Sequence, residues 1–274
     1  MYKRIFTFGC SYTEYKWPTW ATIIAHDLEL PFENWAISGS GNFAIQSRLS
    51  ECDLKNNLNE DDLVMVLWSG WNREDRFDLS NNGWQKGGYI FNNPYYDQKF
   101  LEKYWRLEND VMKNISVMHT VRKAYDKIIK FEGEMISSSL KESETHFNTK
   151  KYVDNYIKAM LTDFESKNPA IPSFGIIQPD EWHDLFDDIH PSIEQHLKFV
   201  IDAVYPKLGL KIKQSTIDNV KEVTKHAMNI RRERYRYADD TSFNRFLMRM
   251  FNQHGFYRNL IFRNIVNNEY ELVK

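Results

Sequence analysis

The stretch Met1-Tyr-Lys-Arg-Ile-Phe-Thr-Phe-Gly-Cys-Ser-Tyr-Thr-Glu14 decides how the rest of the chain reads. Ile5 to Phe8 is a short apolar run that suits a buried strand, and Gly9-Cys10-Ser11 breaks it. An amphipathic helix follows, with Trp20, Ile23, Ile24 and Leu28 at i, i+3, i+4 and i+8. Pro18, near its start, suits a first helical turn. A strand that turns through small residues toward a helix is the opening unit of an open α/β sheet. Such sheets bind ligands outside the carboxyl ends of their strands, so Ser11 carries its hydroxyl at the functional edge.

The unit recurs. After Pro31, Asn34-Trp-Ala-Ile37 is a predicted second strand, closed by Ser38-Gly39-Ser40-Gly41. Asn42 is placed to cap a helix over about 43–52. Leu63-Val-Met-Val-Leu-Trp68 is a continuous apolar run, the pattern of a parallel strand buried on both faces. It ends at Ser69-Gly70-Trp71-Asn72. Residues 73–110 are irregular, rich in Tyr and Trp and punctuated by Asn82-Gly83, Gly87-Gly88 and Asn93-Pro94. A helical pattern runs from about 97 to 131 with a break near Asn114. A fourth strand is expected at Glu134-Met-Ile-Ser137, a helix around 150–166, and a short strand or loop at Ser173-Phe-Gly-Ile-Ile177. Behind Phe186-Asp-Asp-Ile-His-Pro-Ser192, a stripe of Ile193, Leu197, Val200, Ile201 and Val204 marks another helix, which Gly209 stops. Pro191 suits its first turn, which puts His190 at the helix mouth.

From about residue 214 the composition changes. Arginines cluster at 231, 232, 234 and 236 and recur at 245, 249, 258 and 263. Phe243, Phe246, Leu247, Met250 and Phe251 form one amphipathic helix that Gly255 would cap, and Tyr257, Leu260, Ile261 and Ile265 form another. The chain thus divides into an α/β domain over 1–213, with a divergent insertion at about 75–170, and a helical, arginine-rich C-terminal extension over 214–274. The apolar stripes of that extension need cover, from the main domain or from a second copy in a homo-oligomer.

With 274 residues, 42% of them hydrophobic, the chain is long enough to bury a sizeable core. A net charge of −2 exerts no pull toward nucleic acid or anionic membrane. No segment has the length and apolarity of a membrane span. The apolar run after Lys3 and Arg4 is too short for a signal peptide, so a cytoplasmic location is expected. Two cysteines, Cys10 and Cys52, make neither a disulfide framework nor a metal cluster.

The turns carry the chemistry. Acyl transfer from an ester needs a nucleophile, a base, a group that orients the base, and donors for the oxyanion. Ser11 is the candidate nucleophile, although the Gly-x-Ser-x-Gly elbow of ordinary α/β-hydrolases does not surround it. His190 is the candidate base. Asp187, three residues earlier, is spaced to fold its carboxylate back onto one ring nitrogen. Asp180-Glu-Trp-His183 has the same spacing, but the clean helix stripe begins directly after His190. Gly39 and Asn72 are candidate oxyanion donors, with the backbone N–H of Ser11. Adjacent residues at a strand end point to opposite sides, so only one of Cys10 and Ser11 faces His190.

Together these blocks resemble the SGNH (GDSL-type) hydrolase superfamily. Gly9-Cys10-Ser11-Tyr12-Thr13 resembles its first block, Gly-Asp-Ser-x-(Thr/Ser). Asn34 to Gly39 resembles the second, Asn-x-Gly-x-Ser-Gly, with Ala36 at the first Gly. Gly70-Trp71-Asn72 resembles the third, Gly-x-Asn-Asp, with Arg73 at its Asp. Asp187-Asp188-Ile189-His190 resembles the last, Asp-x-x-His. The resemblance covers about residues 3–208. It implies a flavodoxin-like three-layer α/β/α fold with a mostly parallel sheet, a Ser11-His190-Asp187 triad, an oxyanion hole from Ser11, Gly39 and Asn72, and no metal or cofactor.

Family habit points to a short acyl ester, with an O-acetylated carbohydrate the preferred class. Trp71, Trp84 and Trp182 are candidates for stacking on sugar rings. Tyr12 and Arg73 are further candidates for substrate contact, although Arg73 could instead pair with Glu74 or Asp75. The alternatives are acyl transfer by the same triad, and a non-catalytic binding or assembly protein on the same fold. Nucleic-acid binding by the arginines is not expected, because charges beside aromatic stripes are what a solvated helix face displays.

Overall fold

The computed structural model describes residues 2–70, 73, 75–78, 83–85, 99, 107–135, 171–175, 177–234, 240–264 and 270–272. Trp71, Asn72, the expected helix at 150–166 and most of the expected insertion lie outside them.

The chain alternates as its hydrophobic pattern demands. Strand β1 (Arg4–Phe8) leads to helix α1 (Trp20–Leu28), β2 (Phe32–Asn34), α2 (Asn42–Asn56) and β3 (Asp62–Trp68). A small antiparallel hairpin, β4 (Arg76–Asp78) and β5 (Gly83–Gln85), stands apart from the main sheet. Helix α3 (Leu107–Tyr125) and β6 (Ile129–Glu134) follow. Next come α4 (Glu181–Phe186), α5 (Ile193–Phe199), a π-helical segment over Val200–Val204 and α6 (Tyr205–Leu208). The C-terminal part holds α7 (Gln214–Arg234), α8 (Asp240–Gln253), β7 (Leu260–Asn264) and β8 (Tyr270–Leu272).

The main sheet runs β6-β3-β1-β2-β7-β8. Its first five strands are parallel, and β8 returns antiparallel to β7. The stretch β2-β1-β3-β6 is the 2-1-3-4 order of a flavodoxin-like sheet. Ser173 forms a parallel bridge to Glu134, where a fifth strand of that order belongs.

Side-chain alternation along β3 makes the three layers. Leu63, Met65 and Leu67 enter one apolar cluster together with residues of α1, α4, α5, α7 and α8. Val64, Val66 and Trp68 enter a second cluster, with Ile45 and Leu49 of α2 and Val117, Met118 and Val121 of α3. All seven residues of β3 are buried, so the uninterrupted apolar run is explained by cover on both faces.

Several expectations change. β2 begins directly after Pro31, two residues earlier than expected, because Asn34 closes it. The Asn34 side chain accepts from Thr7 Oγ1 and donates to Glu14, and beyond it the N–H groups of Trp35 and Ile37 still donate to the Thr7 and Gly9 carbonyls. The fourth strand lies at Ile129–Glu134, upstream of Glu134–Ser137. Its polar positions find partners, as Glu132 accepts from Arg122 and from Trp68 Nε1. No break occurs at Asn114, which is buried within α3 and bonded to Asn42.

The largest change concerns the C-terminus. Leu260–Asn264 is a strand paired in parallel with β2, where a helix was expected over Tyr257–Ile265. The stripes of α7 and α8 are covered by the chain itself. Val220, Val223, Ala227, Phe243, Leu247, Met250 and Phe251 share one cluster with Ile5, Trp20 and Leu63. No helix among the described residues is long and apolar enough to cross a membrane.

Candidate active site

The turn after β1 is built around a close approach. Thr13 and Glu14 donate their N–H groups back to the Cys10 carbonyl. This folds Thr13 over Gly9 so tightly that a Cβ at Gly9 would lie 2.1 Å from Thr13 Oγ1. Asn34 at the end of β2 braces the turn, donating to Glu14 at 2.7 Å and to the Thr13 carbonyl at 3.0 Å. Ser11 is held in this turn with 3% of its surface exposed. Cys10 is fully buried, and its thiol faces Met135 Sδ at 3.5 Å, past the end of β6.

His190 lies ahead of α5, which is capped by Ser192 and Gln195 acting reciprocally. Pro191 precedes that cap and does not occupy the first turn. Its carbonyl accepts from Trp17 Nε1 at 2.9 Å, tying the His190 loop to the segment that follows Ser11. The His190 ring stacks on Tyr15, centroids 4.0 Å apart, and meets Tyr12 edge-on at 6.1 Å. The Ser11 turn and the His190 loop are therefore packed together through aromatic faces.

The carboxylate on His190 belongs to Asp188, where Asp187 was expected. Asp188 Oδ1 lies 2.8 Å from His190 Nδ1 and also accepts the His190 backbone N–H at 2.9 Å. Asp187 ends α4 in the left-handed region, φ 48°, and is exposed. That turn sends the next residue toward the ring. A spacing of two lets one oxygen take both the ring and the backbone of His190, as an Asx turn does. The Asp-Ile-His order is the local signal that could have found it.

Asp188 Oδ2 is occupied as well, accepting from Tyr15 Oη at 2.6 Å and pairing with Lys16 Nζ at 2.9 Å. Burial works to raise the Asp188 pKa. The bonds from His190, Tyr15 and Lys16 outweigh it and hold the carboxyl well below its usual range. The Tyr15 hydroxyl is pushed up, first by burial and then by Asp188.

The second turn is less complete. Ile37 accepts from Ser40 N–H, with Gly39 at φ 87° in the third position, a conformation that favours glycine. Among the described residues, neither the Gly39 nor the Ser11 N–H has a backbone acceptor. The cap of α2 is not Asn42. Asp75 takes the N–H of Gly41 at 2.6 Å and of Ala44 at 3.0 Å, from 34 and 31 residues away, and no local signal announces it. Asn42 instead clamps the end of β3, accepting from Ser69 N–H at 2.7 Å. Arg73 donates to the Ser40 carbonyl at 3.1 Å, which ties it to the Gly39 turn.

Trp182 is 2% exposed and stacked on Phe186 at 4.0 Å, so it is core and offers no face to a sugar. His183, of the competing Asp-x-x-His, serves α4 as its capping partner, with Nδ1 accepting from the Asp180 N–H. No group of His, Cys, Asp or Glu among the described residues could hold a metal.

No family model and no curated protein matches the chain. Solved structures do. A catalytic mutant of an acetylxylan esterase from Geobacillus stearothermophilus is similar at 10% identity and a TM-score of 0.39, over 77% of this chain and 97% of that one. A GDSL-like lipase from Bacteroides thetaiotaomicron is similar at 15% identity and a TM-score of 0.38, over 76% and 88%. An acetyl xylan esterase from the rumen bacterium Butyrivibrio proteoclasticus is similar at 12% identity and a TM-score of 0.38, over 76% and 65%. Likeness at this level carries nothing about the reaction, and the roles proposed below rest on side-chain geometry.

Proposed function

We propose that the protein is a serine ester hydrolase in which Ser11 is the nucleophile, His190 the base and Asp188 the residue that orients it. The observation that carries this reading is the 2.8 Å contact between Asp188 Oδ1 and His190 Nδ1, on a loop packed against the Ser11 turn. A carboxylate there keeps the proton on Nδ1 and leaves Nε2 as the acceptor.

In the first step Ser11 Oγ bonds to the ester carbonyl carbon and its proton passes to His190 Nε2. The carbonyl electrons move to oxygen, and the N–H groups of Ser11 and Gly39 are the proposed donors to that oxyanion. Asn72 is the proposed third donor. The intermediate collapses, breaks the bond to the alcohol oxygen and returns the His190 proton to it. Water then attacks the acyl-serine, again giving its proton to Nε2, and releases the acid and Ser11. Tyr12, half-buried between His190 and Phe174, is proposed to wall the acyl side and to favour short acyl groups. An acetylated carbohydrate remains the proposed substrate class.

The test is hydrolysis of p-nitrophenyl esters from acetate to octanoate, with fluorophosphonate labelling, on the unaltered protein and on S11A. We expect hydrolysis and labelling of the former, acetate preferred, and loss of both in S11A. A folded protein that neither hydrolyses nor labels overturns the reading.

A further inference from the structure

Three successive residues just beyond the Ser11 turn all grip the His190 loop. Tyr15 donates to Asp188 Oδ2 at 2.6 Å and stacks on the His190 ring. Lys16 Nζ lies 2.9 Å from the same oxygen and 5.6 and 5.3 Å from the Tyr15 and Trp17 ring centroids. Trp17 holds the Pro191 carbonyl. A triad needs its carboxylate to bind the imidazole and nothing else. Here the second oxygen of that carboxylate carries a phenol and an ammonium.

We propose that Tyr15 and Lys16 are positioning residues for the Asp188–His190 pair, aiming one Asp188 oxygen at the ring and offsetting part of the carboxylate's charge. The kinetic consequence rests on the ester-hydrolase reading, whereas the geometric one does not. Tyr15 fixes the carboxylate by its hydrogen bond and the ring by stacking, so imidazole and acid keep one mutual orientation. The Lys16 charge opposes the pull of Asp188 on a proton at His190. Among the described residues, the other titratable groups facing this pair are few. Tyr12 meets His190 edge-on. His196 on α5 is fully buried, and burial, followed by the nearby His190, pushes its pKa down to about 3. It brings no charge to the site. Asp187 is exposed on the same loop.

The arrangement also explains the order of the chain. The nucleophile and the grip on its base lie within six residues, so the β1–α1 segment sets both ends of the proton path. Lys16 is partly exposed, so methionine can replace it without opening the core.

The experiment compares K16M, K16R and Y15F with the unaltered protein in two ways. The first is kcat and KM for a short p-nitrophenyl ester across pH 5 to 9. In K16M the acid limb of kcat/KM should move up by about half a pH unit, with KM unchanged and with K16R restoring the profile. In Y15F kcat should fall about ten-fold with KM within two-fold, short of the roughly hundred-fold cost of full misplacement. The second is the downfield proton resonance of the His190 Nδ1–H, identified by its loss in H190Q, which requires no turnover. It should be displaced in both K16M and Y15F and restored in K16R. A resonance unmoved in K16M and Y15F overturns the proposal whatever the activity. A resonance displaced as expected in a protein that hydrolyses no ester supports the positioning and overturns the hydrolase reading.

Discussion

At the residue scale, the site turns on which of two adjacent carboxylates faces His190. Asp188 accepts the ring and the backbone N–H of His190, and Asp187 is exposed at the end of α4. We therefore expect D188N to lower kcat by up to about 10⁴-fold and D187N to leave it within a few-fold, measured on the ester that the unaltered protein prefers. Acid stability should separate the two as well. The folded pKa of Asp188 lies below its unfolded value. Its contribution is thus complete above about pH 4 and is lost as pH falls further. The midpoint of thermal unfolding should drop more steeply from about pH 4 downward to about pH 2 in the unaltered protein than in D188N. Equal slopes would mean that the carboxylate is not held as described.

At the element scale, the small-residue turns at the strand ends are held by side chains from elsewhere in the chain. Asn34 braces the Ser11 turn, Asn42 clamps the end of β3, and Asp75 caps α2. Asp75 satisfies two of the orphan N–H groups that open α2, directly behind the Gly39 turn. Substitution D75A should destabilise the fold by about 1–2 kcal/mol, read from denaturant unfolding, and should lower kcat through a loosened Gly39 turn. An unchanged midpoint would count against the cap. The segments that periodicity describes well, β1, α1, α2 and β3, have one face or both faces set by apolar contacts. β6 is legible only in part, because its Glu132 is satisfied by Arg122 on the preceding helix and by Trp68, 64 residues away, contacts that the strand's own pattern does not announce.

At the scale of the whole molecule, the C-terminal quarter completes the fold. Asp27 on α1 is buried and accepts from Tyr205 Oη, Lys213 N–H and Thr216 Oγ1, fastening the start of α7 to α1. Beyond it, Leu247 is fully buried in the cluster that contains Ile5 and Trp20. Truncation after residue 213 should therefore leave no soluble, cooperatively folding protein, and L247A should cost about 2–5 kcal/mol in denaturant unfolding. A truncated chain that stayed soluble and folded would show that α7, α8 and β7 are dispensable. Two of the clustered arginines are already used within the chain. Arg231 lies over Phe243 at 4.7 Å and donates to the Leu185 carbonyl, and Arg232 pairs with Glu181.

The sequence by itself determined the parallel β-α-β core, the placement of Ser11 and Gly39 in turns at strand ends, and the arrival of His190 just ahead of a helix. Each of these follows from local properties: apolar periodicity, turn-forming residues and a stripe that begins after Pro191. Between Asp187 and Asp188 the tertiary structure made the choice, because the left-handed turn at Asp187 redirects the chain and Tyr15 and Lys16 hold the Asp188 carboxylate beside the imidazole. It also decided that Asp75 caps a helix from 31 to 34 residues away, and that Leu260–Asn264 joins the sheet. An apolar run that short fits a helix face or a strand equally well. The open edge of β2 supplied the hydrogen-bonding partners that made it a strand.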